Sequence, residues 1–403
     1  MKKRLIPVLL LFCMMNASYG WCDDNTPITL ADTQKRVQSE FDLLDAGLKR
    51  AAVQLGGIGL TGDAARKTLV ELCGGFSYAV DCATLDPDGK MLTIEPVAYR
   101  HFEGIDISGQ EQVKRVMQGQ KPVFSSVFVS VEGFDAVDVE YPVTTGDGKF
   151  LGSVSLLFRP EKFLGDIIRP LVEGIPMDVC AMETGGHILY DADTQHVGQN
   201  LFSSPLFRPY PSLTELGRQI VRDPSGAGKY TFPDRTTKAD VTKNAYWRTV
   251  SMYGTDWRLV GIHVEPKNAG HQALLVKARN PDRPLESLAG SKALIKALER
   301  GDRRSVMKLF RKFHKDNPGI YAIQWIDEKG INRFGYPVEN SLKNYDFHAG
   351  RAQSDPELLK AVQEKKPAVF EFPLFEGNQG IFTLMPAFSG ERYLGMVYVI
   401  VIK

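Results

Sequence analysis

The sequence predicts an α+β protein in which antiparallel sheets carry lid loops and helices, three such units being strung on long N-terminal helices. Three observations predict this. VEYPVTTGDGKFLGSVSLLF, from Val139, joins two alternating apolar runs across a Gly-Asp-Gly turn and reads as a hairpin. LMPAFSGERYLGMVYVIVI, from Leu384, echoes that hairpin near the end of the chain. A helical pattern precedes the strands of each of these two copies.

The elements follow in order. MKKRLIPVLLLFCMMNASYG has a basic start at Lys2, Lys3 and Arg4, an apolar core from Ile6 to Met15, and small residues at Ser18 and Gly20. It reads as a secretory signal, too short to span a bilayer, with cleavage expected after Gly20 and a periplasmic or secreted destination. Trp21 stands where lipidation of Cys22 needs a small residue. Removing the signal takes the formal charge from +1 to −2, which leaves no electrostatic footprint for nucleic acid. No later segment is apolar for long enough to cross a membrane. Of the remaining cysteines, Cys73 and Cys82 are the candidate disulfide, while Cys22 and Cys180 pair or stay free. With no haem motif and no tight histidine pair, neither a cofactor nor a metal is expected.

Val37, Phe41, Leu44, Leu48, Ala52 and Leu55 recur at helical spacing. They predict one long amphipathic helix, started by Asp32 or Thr33 and ended by Gly56-Gly57. A shorter helix follows over 63–72. FSYAVDCATL and KMLTIEP read as strands around the turn Asp86-Pro87-Asp88-Gly89. Residues 97–109 read as a lid loop, SGQEQVKRVMQG as a short helix, and VFSSVFVSVEGFDAVDVEYPV with KFLGSVSLLF as the rest of a sheet. A second strand-rich unit contains MDVCAMETGGHILYD, AYWRTVSM and WRLVGIHVEP. The predicted division is a signal at 1–20, the long helix with a first lobe at 30–160, a second lobe at 161–268, a polar linker at 279–287, and a third unit at 288–403.

The first and third units run in parallel. Tyr78 is matched by Tyr321, the turn at 86–89 by that at 327–330, and Asp106 by Asp346. VKRVMQGQKP is matched by LLKAVQEKKP, Tyr141-Pro142 by Met385-Pro386, and Leu151-Gly152 by Leu394-Gly395.

The order helix, hairpin, lid, short helix and three further strands resembles the PAS-like extracytoplasmic Cache sensor domains. GIDISGQEQVKRVMQGQKPVFSSV resembles the Cache lid and helix, and the hairpin at Val139 the Cache closing hairpin. METGGHILYDADTQHVGQNL with YWRTVSMYGTDWRLVGIHVEP resembles the second lobe of a double Cache module. The resemblance therefore implies a double Cache module followed by a further single unit. Most Cache domains sit between two membrane helices. This sequence stops at Lys403 with no effector, so a sensor of this kind is expected to signal through a membrane-bound receptor or histidine kinase.

In such units a small molecule lies between sheet and lid. Arg100 is the candidate carboxylate clamp. Tyr99, His101 and Asp106 are the lid partners, and Tyr78, Asp135, Asp138 and Tyr141 close the site from the strands. Asp138 opposite Arg100 suits a zwitterionic amino acid, although Phe102-Glu103 replace the Trp-Tyr pair of the amino-acid-binding members. Arg333, Tyr336, Tyr345, Asp346, Arg351 and Gln379 are the candidates for a second site, in the third unit. Tyr246, Trp247 and Trp257 of the middle unit are expected in the core, with no site there. A scaffold that has lost ligand binding is the alternative reading. A hydrolase is disfavoured, because Gly-x-Ser-x-Gly, His-Glu-x-x-His and P-loop motifs are all missing.

Overall fold

Helix α1 (Ile28–Ile58) is the longest element of the computed structural model, which describes residues 27–234, 238–264, 282–352 and 354–403. The signal segment, Cys22 and the first residues of the expected linker lie outside the described residues. Helix α1 begins a turn earlier than expected, after Pro27 and without a side-chain cap, and Thr33 bonds back to the Thr29 carbonyl at 2.8 Å. It also runs through Gly56-Gly57 to Ile58. A Cβ on Gly56 would stand 2.2 Å from the Thr144 carbonyl oxygen, so this glycine permits close approach of the first sheet and does not end the helix. Among the described residues no helix is long and apolar enough to cross a membrane.

Three antiparallel sheets follow. Helix α2 (Gly62–Gly74) leads to the first, built from β1 (Ala79–Leu85), β2 (Met91–Glu95), β3 (Val123–Phe124), β4 (Phe128–Val129), β5 (Asp135–Thr144) and β6 (Phe150–Phe158). Its order is β2-β1-β6-β5-β3, with β4 beside β5, and the lid helix α3 (Glu111–Gly119) packs against β5. Helix α4 (Pro160–Val172) leads to β7 (Asp178–Glu183), β8 (Ile188–Tyr190), α5 (Pro211–Arg222), β9 (Gly226–Pro233), β10 (Asp240–Met252) and β11 (Thr255–Val264), ordered β8-β7-β11-β10-β9. The third sheet contains β12 (Ala322–Ile326), β13 (Ile331–Tyr336), β14 (Tyr345–Asp346), β15 (Ala368–Pro373), β16 (Gln379–Ser389) and β17 (Arg392–Ile402). It repeats the order as β13-β12-β17-β16-β15, with β14 outside β13. The expected linker is helical from Asp282, because Leu285 and Ala289 bury against the third sheet with the helices that follow.

The echo between the hairpins has a steric cause. Gly152 (φ +134°) and Gly395 (φ +113°) each lie over the end of a neighbouring strand, where a Cβ would meet the carbonyl oxygen of Leu85 at 1.9 Å or of Ile326 at 2.1 Å. Asp106 and Asp346 also repeat a role, each accepting the backbone N–H two residues on, at 2.8 Å from Ser108 and 2.9 Å from His348. The tyrosine match fails. Counted from the turns, Tyr321 lies two positions later than Tyr78, and β1 carries an irregularity between Ala79 and Asp81. Tyr78 therefore packs on the helix side while Tyr321 packs under the third lid.

Each sheet has a helix face and a lid face. On the helix face, Leu30, Val37, Phe41, Leu44, Leu48 and Leu55 of α1 form one core with residues of both the first and second sheets. The Phe41 ring lies 5.2 Å from Phe124, 5.7 Å from Phe163 and 5.3 Å from Trp257. Phe41→Ala is expected to lower unfolding stability by about 3–5 kcal/mol, measured by chemical denaturation. A loss under about 1 kcal/mol would contradict the role given to this ring.

Candidate functional site

Alternation along β5 decides what lies beneath the first lid. Val137, Val139 and Val143 turn toward α1, so Asp138 and Glu140 turn toward α3. Across β6, Leu157 stands between Asp138 and Asp81, and Ser155 between Glu140 and Ala83. Asp81, Asp138 and Glu140 are only 2%, 4% and 0% exposed. Oδ2 of Asp81, Oδ1 of Asp138, both oxygens of Glu140 and Oγ of Ser153 are buried and make no hydrogen bond of good geometry, although Ser153 and Asp138 stand close enough to Glu140, and Gln112 to Asp138, to interact with their carboxyls. Glu132, from the loop before β5, adds another such oxygen. Ser125 holds the backbone here, its hydroxyl accepting the Asp138 N–H at 2.9 Å.

Burial pushes Glu140 up to about 7. Burial, with the carboxylates of Glu140 and Asp81 close by, raises Asp138 well above the usual carboxylate range. Burial and the charge of Glu132 do the same to Asp81. An orphaned buried polar group costs about 1–3 kcal/mol, and more when charged. Among the described residues no ion pair reaches these three carboxylates. The arrangement can hold protons and attracts positive charge. Among the described residues no group of three or more His, Cys, Asp or Glu is placed to hold a metal ion.

Only Asp138 of the eight sequence-derived candidates joins this cluster. Arg100 is tied at the sheet edge to Glu95, with Nη2 and Nε at 2.6 and 3.0 Å, and Glu95 also takes Arg66 at 2.9 Å. In this structure it is therefore an ion-paired edge residue, and it does not approach Asp138. Asp106 fixes a turn, and the hydrogen bonds from Ser108 hold it below the ordinary carboxylate range. His101 is exposed against Phe102, and Tyr99 packs into the small apolar cluster under the lid. Tyr78 and Tyr141 lie on the helix side, and Asp135 is exposed at the start of β5. Sequence reasoning missed Asp81, Glu140 and Glu132. The available signal was the pair of acids at alternate positions between valines in DAVDVEYP, on a strand rich enough in valine to be central.

Cys73, Cys82 and Cys180 stand as thiols in this structure, with the Cys73 and Cys82 side chains within interaction distance of each other and the Cys73 sulfur 3.6 Å from the Glu95 carbonyl oxygen.

The third unit carries the same frame with different occupants. Phe382, Leu384 and Tyr398 pair in the positions held by Asp138, Glu140 and Ser155. Phe382 and Tyr398 stack at 6.1 Å, and the Tyr398 hydroxyl donates to Asn332 at 3.0 Å. The space left there is about 30 Å³. The second-site candidates do not converge. Arg333 pairs with Asp327, while Tyr336 lies on the helix side beside His314. Tyr345 donates to Asp355 at 3.0 Å, Asp346 fixes a turn, Arg351 lies over Tyr345, and Gln379 is exposed. In the second unit Trp247 and Trp257 are core residues as expected, whereas Tyr246 is only half-buried against the core.

Residues 39–160 match the family model described as "HK/GC/Chemotaxis protein-like, sensor domain". An "extracellular ligand binding receptor" from Desulfohalobium retbaense DSM5692 is 32% identical with a TM-score of 0.50, covering 58% of this chain. The chain spans about two fifths (39%) of that structure's length. The extracellular domain of the putative histidine kinase rpHK1S-Z16 is 18% identical, with TM-score 0.43 and coverage of 59% and 92% of the two chains. The ligand-binding domain of the Pseudomonas aeruginosa PAO1 chemoreceptor PctC in complex with GABA is 16% identical, with TM-score 0.40 and coverage of 58% and 96%. No curated protein matches the chain. Residues 39–160 thus match a sensor-domain family, and the antiparallel sheets with lid helices agree with the α+β fold expected from the sequence.

The raised carboxylates make stability depend on pH. Native Asp81, Asp138 and Glu140 keep protons that the unfolded chain releases near pH 4, so stability falls as pH rises from about 4 through about 7. Denaturation midpoints of the ligand-free protein are expected to be higher at pH 5 than at pH 8, and the Glu140→Gln variant is expected to flatten the difference. A slope unchanged by that substitution would contradict the assignment.

Proposed function

We propose that the chain is an exported sensor that recognises a small molecule bearing a protonated amine beneath the first lid and signals through a membrane-bound receptor or histidine kinase. The observation that carries this reading is the set of orphaned carboxylate oxygens on Asp81, Asp138 and Glu140, closed under α3 with no cation paired to them among the described residues. A ligand ammonium would supply up to three donors to these oxygens and convert repelling acids into charge-assisted hydrogen bonds. The family match over 39–160 and the likeness to an extracellular ligand-binding receptor support a sensing role, and the signal-like N-terminus supports export. The filled lid face of the third unit favours a scaffold or docking role for that unit.

Binding would require the acids to lose protons, so affinity is expected to rise between pH 5 and pH 8 with proton release. Calorimetry in buffers of different ionisation enthalpy reads that release directly, and pH-independent binding would count against the site. A panel of primary amines, from methylamine and putrescine to amino acids, is expected to raise the melting temperature of the mature protein, while matched acids without the amine do not. Asp138→Asn is expected to weaken the best amine about 10–100-fold, the worth of one charged hydrogen bond. If no amine shifts the transition, the reading fails.

A further inference from the structure

The lid face of the second sheet, where no site was expected, encloses a cavity of about 550 Å³. That volume falls within the usual range of small-molecule sites, roughly 300–1,000 Å³. Its floor is apolar, made by Met182, Val260 and Ala245 on the strands and by Leu216 and Ile220 of α5. One flank is aromatic. Phe232 has Tyr210 at 4.6 Å and His196 at 5.7 Å, and Phe207 stands 5.4 Å from His196.

The same flank carries charges of both signs. Asp178 and Ala245 flank Ile262 across β11, and Lys243 stands beside Tyr230 across β9 and β10. The Lys243 ammonium lies 5.3 Å from the Phe232 ring centre. Asp191 holds His196 at 3.2 Å on the lid side. Burial pushes the Lys243 ammonium's pKa down, against the nearby acids Asp178, Asp234 and Asp191, which raise it. The first unit's cluster contains acids alone, whereas here an ammonium and carboxylates share one flank of an apolar chamber.

We infer that the second unit holds its own binding site, for a zwitterionic amino acid with a large apolar side chain. The ligand carboxylate meets Lys243, its ammonium meets Asp178 and Asp191, and its side chain fills the chamber against Phe207 and Phe232. An aromatic ring on this side chain would add ring contacts to area burial.

The test uses the full mature chain carrying Asp138→Asn, which weakens any amine at the first-unit site, and the Lys243→Met comparison in that background assigns the remaining binding to the second unit. L-phenylalanine, phenethylamine and phenylacetate share one apolar body and differ in their charged head. Calorimetry is expected to show one molecule of L-phenylalanine bound, with each single-headed analogue at least tenfold weaker. Lys243→Met, which keeps the apolar stem, is expected to weaken L-phenylalanine at least tenfold, and Ala245→Phe, which fills the chamber, to abolish binding. Circular dichroism checks that both variants fold, and Lys243→Met decides alone if Ala245→Phe does not. The inference is overturned if L-phenylalanine does not bind, if an analogue binds equally well, or if Lys243→Met binds like its parent.

Discussion

The Phe41 ring on α1 touches Phe124 of the first sheet, Phe163 of α4 and Trp257 of the second sheet. One side chain thus joins the two sheets through the helix they share, in an interior where close packing leaves little room for independent movement. The same constraint ties the first lid to the rest of the molecule. Asp138 and Glu140 face the lid, while their neighbours Val137, Val139 and Val143 face α1. A change in β5 that follows from pairing its charges therefore acts on α1, and α1 bears on the second sheet. At the next junction the Tyr321 hydroxyl contacts His263 and donates to Glu376, and the Lys343 N–H donates to the Gly174 carbonyl at 2.8 Å.

The three sheets share a strand order, yet their lid faces differ in what fills them. Acids with orphaned oxygens occupy the first, Phe382 and Tyr398 close the third, and an open chamber remains in the second. Backbone register is kept by the turns and by the glycines at 152 and 395, where any Cβ would collide with a carbonyl oxygen. Lid-face residues carry no such burden, so each copy can spend them on a ligand or on packing.

The architecture was legible because it rests on local chemistry: period-two strands, turns rich in Asp and Gly, and a helical stripe from Val37 to Leu55. The site was much less so. Arg100 has the donor fork of a carboxylate clamp, but its partner Glu95 is five residues back at the end of β2, and that pairing holds its guanidinium at the sheet edge. Asp138 was identifiable as a polar residue in a valine-rich strand. Glu140 shares its strand face two residues on, but Asp81 becomes its neighbour only through the pairing of β1, β6 and β5, across nearly sixty positions of sequence. The chamber of the second unit is likewise a product of tertiary packing, assembled from five strands, a helix and a lid loop. Glycines were legible as special backbone positions, yet whether one ends a helix, as Gly59 does, or admits a neighbour, as Gly56 does, depends on what packs against it.

The central claim is that the buried acids under the first lid form the seat of an ammonium group. A crystal structure of the mature protein with the amine that stabilises it most tests this directly. The account predicts the ligand nitrogen within hydrogen-bonding distance of Asp138 and Glu140, beneath α3. Density for that amine only outside the lid, at the edge near Arg100, would contradict it.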